Sequence, residues 1–144
     1  MFAYTPFSQA AVDANRETLL AVLTKLNITD VTIRYDGCGD SGDVAEVTVI
    51  PETIVPQLAI EHITHQYVVT DYSENQYQYR VEERLLSVND ALHDFALEWV
   101  DVYHTGWENN DGGFGMVTIQ VAENRFELEH TEYYTETSSY EYTL

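Results

Sequence analysis

Three aspartates, Asp36, Asp40 and Asp43, alternate with Gly37, Gly39 and Gly42 in the string Asp36-Gly37-Cys38-Gly39-Asp40-Ser41-Gly42-Asp43. Carboxylates on a glycine-loosened turn are the donors a hard cation such as Ca²⁺ or Mg²⁺ needs, because oxygen ligands must converge while the backbone bends sharply. With Asp36 at the first position of an EF-hand loop, the third is Cys38, the sixth Ser41 and the twelfth Val47, so that template fails. Asp and Gly are also the ordinary residues of a hairpin turn. Cys38 sits between acidic neighbours, the opposite of the electropositive setting an activated thiolate needs. His62 and His65 would form a zinc-capable pair if that stretch were a helical turn and Glu61 or a remote acid completed it, but no second Cys/His cluster exists. A second glycine-rich string, Tyr103 to Gly115, holds His104, Trp107, Glu108, Asn109, Asn110 and Asp111. A tryptophan among acids and amides suits a recognition loop with a stacking surface, and equally a helix stop with Trp107 tucked beneath the preceding helix. The sequence has no Walker loop, Gly-x-Ser-x-Gly elbow, His-Glu-x-x-His or dinucleotide fingerprint.

These strings must be placed by regular elements, and the chain is long enough for one domain over residues 1–144. Val12, Leu19, Leu20, Leu23 and Leu26 recur at helical spacing after Ser8, predicting a first helix that runs to about Asn27. Val31 to Tyr35 alternates at period two, and Val44 to Ile50 is β-branched. Together they predict a hairpin with a long tip over 36–43. Pro51 and Pro56 fit no central strand. Residues 60–81 are ambiguous, with strand-like Tyr67-Val69 and Tyr77-Val81 and a potential helical turn at Glu61 to His65. A second helix follows the Ser87/Asp90 capping box, with Leu92, Phe95, Ala96, Trp99, Val102 and Tyr103 on one face and Gly106 at the C′ position. Met116 to Val121 and Arg125 to Tyr133 predict another hairpin. The tail 134–144 adds either an edge strand or a mobile acidic extension. The expected class is α+β, a largely antiparallel sheet of about four to six strands with two helices packed on one face.

Asp and Glu number 25 against 6 Lys and Arg, a net charge of −19, and hydrophobic residues make up 44% of the chain. There is enough apolar surface for a folded core. A field this negative repels phosphate backbones and anionic membranes. A single cysteine, no signal-peptide pattern and no membrane-length apolar run point to a reducing, cytoplasmic setting. Residues 1–84 hold 13 acids against 5 bases, whereas residues 85–144 hold 12 acids against Arg125 alone. Such charge serves solubility. It also suits a decoy. Asp90, Asp94, Glu98, Asp101 and His104 fall on one side of the second helix, about 5 to 6 Å apart at 1.5 Å rise per residue. A DNA strand carries a phosphate each ~3.4 Å of axis, so a second acidic row would be needed. Glu127, Glu129 and Glu132, with Glu136 and Glu141, can supply it.

The strings 36–43 and 104–115, followed by an acidic strand and tail, resemble a family of small bacterial proteins known only as a domain of unknown function, frequent on plasmids, phages and other mobile elements. The resemblance spans roughly residues 10 to 140 and implies that the two loops belong together. It hands over no catalytic residues, and its setting favours counter-defence. The expected function is therefore a non-enzymatic acidic binding protein or inhibitor engaging a basic, nucleic-acid-binding protein surface, as an anti-CRISPR or antirestriction DNA mimic. The candidate interface comprises Asp90, Asp94, Glu98, Asp101, His104, Trp107, Glu108, Asn110, Asp111, Glu127, Glu129 and Glu132. The alternative is a divalent-cation domain, structural or hydrolytic, using Asp36, Asp40, Asp43, Glu108 and Asp111. No other cofactor is expected, and a homodimer hiding the Tyr-rich tail is a third reading.

Overall fold

The computed structural model describes residues 6–39, 41–109 and 111–144. The fold is α+β, as its alternating and helical periodicities predict. The order is α1 (Pro6–Lys25), β1 (Asp30–Cys38), β2 (Ser41–Ile50), a short 3₁₀ turn (Glu52–Ile54), the one-turn α2 (Val55–Leu58), β3 (His62–Ser73), β4 (Gln76–Ser87), α3 (Val88–Tyr103), β5 (Gly113–Gln120) and β6 (Arg125–Glu132). Instead of one sheet, β2-β1-β5-β6 form a four-stranded antiparallel sheet and β3-β4 a separate ribbon.

In α1, Ala11, Val12, Asn15, Leu19, Val22 and Leu23 recur at three- and four-residue steps and are buried. The helix begins at Pro6, so Ser8 lies inside its first turn rather than capping it. Ser87 does cap α3: its Oγ accepts the Asp90 N–H at 3.1 Å. That helix ends at Tyr103 with His104 as C-cap, so the left-handed Gly106 (φ 72°) stands one position past C′. The expected long tip at 36–43 is mostly paired strand, with Asp36 opposite Asp43, Gly37 opposite Gly42 and Cys38 opposite Ser41. Period-two pairing extends farther than the Asp/Gly composition suggests, reaching Cys38 and Ser41, with Gly39 at a φ of 65° that favours glycine.

The Glu61–His65 stretch is not helical; β3 starts at His62. Along a strand, residues three apart point to opposite faces, so the helical condition for a zinc-capable pair is not met. His65 is 1% exposed, while His62 lies at the surface. Glu74 and Asn75, both at positive φ (52° and 63°), make the two-residue turn to β4. Residues 133–144 are exposed and form no edge strand.

The main core is built from α1 and α3 together with Val31, Ile33, Val49, Val117 and Ile119 from the inner face of the four-stranded sheet. α3 contacts β1 and β2, while α1 contacts α3 and the β3-β4 ribbon. Within α3, Val100 is fully buried and Tyr103 is 60% exposed, so the apolar stripe is rotated relative to the spacing expected from Tyr103. No helix among the described residues is long and apolar enough to cross a membrane.

Candidate functional site

The two glycine strings meet. β1 pairs with β5 so that Gly37 lies opposite Gly113, and a Cβ on Gly112 would stand 2.1 Å from the Gly37 carbonyl oxygen. A Cβ on Gly42 would stand 2.6 Å from the Trp107 ring and 3.2 Å from Glu108 Cβ. The glycines thus clear space for an indole laid across the β1-β2 backbone. Trp107 is only 4% exposed and meets Tyr35 edge-on at 5.0 Å and His130 at 5.7 Å. It joins Tyr35 and Val100 in a second core cluster. An exposed stacking surface is therefore ruled out: the loop's tryptophan is spent on joining α3 to the sheet, because the apolar indole gains more from burial than from solvent.

Convergence of the loops does not gather their carboxylates. Asp43 Oδ1 accepts its neighbour's Val44 N–H at 2.7 Å, and Asp111 Oδ2 accepts the Thr135 hydroxyl at 2.5 Å. Among the described residues, Asp36, Asp43, Glu108 and Asp111 form no group able to hold a metal ion. Asp40 and Asn110 lie outside the described residues. Cys38 is exposed at the end of β1.

The acidic side of α3 is not an open ridge. Asp90 is exposed, but Asp94, Glu98 and Asp101 are half-buried, the first two met by Tyr67 and His65 of β3 and the third by the backbone of Gly106. Tyr67 donates its hydroxyl to Asp94 Oδ2. His65 Nε2 lies 2.9 Å from Glu98 Oε1 and 3.2 Å from Asn15 Nδ2, so this buried ring joins α3 to α1. Asn15 ties the ribbon to α1: its Oδ1 accepts the Gln66 N–H at 2.8 Å and its Nδ2 donates to the Gln66 carbonyl at 3.0 Å. Burial is the main cause of a raised carboxyl pKa at Glu98, opposed by His65 and reinforced by Asp94. Asp101 is raised too, first by burial, with Glu108 adding repulsion against a backbone hydrogen bond from Gly106. Burial and the bond to Asp94 likewise push the Tyr67 phenol up.

The other acidic row does face solvent. On β6, Phe126, Leu128 and His130 turn toward the interior, while Glu127 and Glu129 alternate outward and Glu132 is exposed at the strand's end. Pairing places Glu127 beside Thr118, Glu129 beside Met116, Asp36 beside Phe114 and Glu46 beside Arg34 on one sheet face. Both bases there have acidic partners, Arg34 with Glu46 at 3.8 Å and Arg125 with Glu127 at 3.6 Å. At the end of this sheet His104, half-exposed at the C-cap of α3, stacks at 4.4 Å on His130, whose Nδ1 is 2.6 Å from Tyr35 Oη. Burial, then the proximity of His104, lowers the His130 pKa.

Sequence reasoning did not single out Tyr35, Asn15, Tyr67 or His130. The signals exist for two of them: Asn15 stands at helical spacing between Val12 and Leu19, and His130 continues the inward alternation of Phe126 and Leu128.

The model of a protein family matches residues 11–144. The chain belongs to DUF6878, a family of unknown function. No curated protein and no solved structure matches the chain. Membership accords with the expected kinship to a family of unknown function and supplies no activity.

Proposed function

We propose that the protein is a non-enzymatic acidic binding protein whose outward sheet face engages a basic surface, of the kind nucleic-acid-binding proteins present. One observation carries this reading: Asp36, Asp43, Glu46, Glu127 and Glu129 are exposed on one face of the four-stranded sheet, where both arginines are occupied by acidic neighbours. In this reading α1 and α3 form a layer over the opposite face, leaving this one free for a partner. Glu132, Glu136 and Glu141 prolong the negative surface into the exposed tail. Residues two apart on a strand are ~6.8 Å apart, or about two phosphate steps along a DNA strand. The face therefore suits a decoy that occupies a basic groove in the cytoplasm and blocks a nuclease or CRISPR effector, with Asp94, Glu98 and Asp101 no longer part of its contact surface.

The test is displacement of labelled duplex DNA from a panel of DNA-binding proteins with basic grooves, at low and moderate salt. Displacement should weaken steeply as salt rises, because exposed charges are screened. Glu127→Lys combined with Glu129→Lys should abolish it. Displacement indifferent to salt and to these reversals, or none across the panel, would overturn the reading.

A further inference from the structure

We infer that His104, His130 and Glu132 form a binding site for a divalent transition metal of the zinc class, separate from the loop carboxylates and located at the strand end beyond Glu127 and Glu129. One ligand atom from each lies within 4.8 Å of the other two. His130 Nε2 is 3.7 Å from Glu132 Oε1, and His104 Nδ1 is 4.0 Å from Glu132 Oε2. Around a tetrahedral zinc with ligand bonds near 2.0 to 2.2 Å, neighbouring donor atoms stand about 3.3 to 3.5 Å apart. The two histidine–carboxylate separations exceed this by a few tenths of an ångström, and the two imidazoles bring their nitrogens within 4.8 Å of each other.

The second observation is the state of His130. Its side chain is 4% exposed, and its Nε2 is buried with no hydrogen-bond partner. An orphaned polar atom in that position costs folding free energy unless a ligand satisfies it. Its other nitrogen, Nδ1, is held at 2.6 Å by Tyr35 Oη, which fixes the ring with Nε2 toward the other donors. Metal-bound histidines are commonly oriented by such a bond on the second nitrogen. Two imidazoles and one carboxylate are the donor set of zinc and related metals rather than of calcium, whose ligands are all oxygens. The other His/acid group, His65, Asp94 and Glu98, is a poorer host because His65 Nε2 is already shared between Glu98 and Asn15, and Asp94 accepts from Tyr67. Three protein ligands leave a fourth position for solvent or an external donor. Glu132 also borders a cleft with Thr105, Asn109, Tyr133 and Tyr134, from which such a donor can arrive.

Titrating the full chain with Zn²⁺ against a chromophoric chelator, and with Co²⁺ by its visible absorption, tests the inference. One ion should bind per chain. Affinity should fall at least tenfold in His104→Ala and in Glu132→Gln, with Tyr35→Phe weaker by about 10- to 100-fold through loss of ring orientation. His62→Ala, which alters an exposed histidine elsewhere, should bind as the parent does. His104 is itself 39% exposed, so its variant keeps the test valid even where a His130 substitution fails to fold. No binding by the folded parent, or equal affinity in parent, His104→Ala and Glu132→Gln, would overturn the site.

Discussion

Helix α3 and strand β6 carry acids at comparable density, and tertiary packing treats them in opposite ways. On α3, Asp94, Glu98 and Asp101 are half-buried, the first accepting from Tyr67 and the second paired with His65, both of the β3-β4 ribbon. On β6, Glu127 and Glu129 stand in solvent beside a single local arginine. A helix can present an acidic stripe and still lose it to a neighbour that brings hydrogen-bond donors. A strand at the edge of a sheet keeps its outward residues exposed, and acidic residues there also discourage edge-to-edge pairing. Charge counted along a sequence thus measures solvent-facing potential only after the covering element is known.

The largest effect should come from the joint between the two regions. Trp107→Ala removes a buried indole packed between α3 and the sheet, and should cost about 3 to 5 kcal/mol of stability, read as a lower urea midpoint. A loss under about 1 kcal/mol would show that the loop, and with it the contrast between covered helix and open strand, does not depend on this plug. Next in size is Asn15→Ala, which leaves the Gln66 N–H and carbonyl without their side-chain partner. About 2 to 3 kcal/mol should be lost. Hydrogen exchange of the ribbon amides should accelerate more than that of β5 and β6; uniform acceleration would mean that Asn15 does not hold the cover in place.

A smaller, pH-dependent effect separates the two acidic rows. Glu98 has a folded-state pKa raised by burial, so the folded chain holds that proton more tightly than the unfolded chain. Its ionisation therefore costs stability as pH rises from the ordinary carboxylate range, about 4.3, through the raised value, and acidification from neutrality toward that range restores it. Glu98→Gln should flatten the gain in melting temperature between pH 7 and pH 5, whereas Glu129→Gln, which alters an exposed acid, should leave the slope as in the parent. Equal slopes in all three proteins would place Glu98 in solvent. The smallest change in stability belongs to Glu127→Gln, within about 0.5 kcal/mol by thermal melting, because exposed ion pairs such as that with Arg125 are screened. A larger loss would mark β6 as structurally dependent on that acid.

The elements with uniform periodicity were readable. The Ser87 cap and the apolar stripe of α3, the alternation of β1 and the β5-β6 hairpin each announce themselves through local spacing, because backbone geometry sets periods of 3.6 and 2. The 60–81 stretch was harder to read: a ribbon with one face against helices and the other in solvent mixes tyrosine, histidine and charge without a strict alternation. His62 and His65 look like a pair only under a helical period. The Asp/Gly string 36–43 reads as a loop by composition although most of it pairs as strand, since Gly37 and Gly42 are there to admit Trp107 rather than to loosen the chain.

By itself the sequence determined the α+β class, the start of α3 at its Ser87 cap and the acidity of the later half, all of which follow from local geometry or from residue counts. Tertiary structure alone decided which acids reach solvent, where Trp107 goes, and that His104, His130 and Glu132 come together from a helix end and a strand. Those outcomes depend on contacts between residues far apart in the chain, such as Asn15 with Gln66 and Tyr35 with His130, and no local period encodes them.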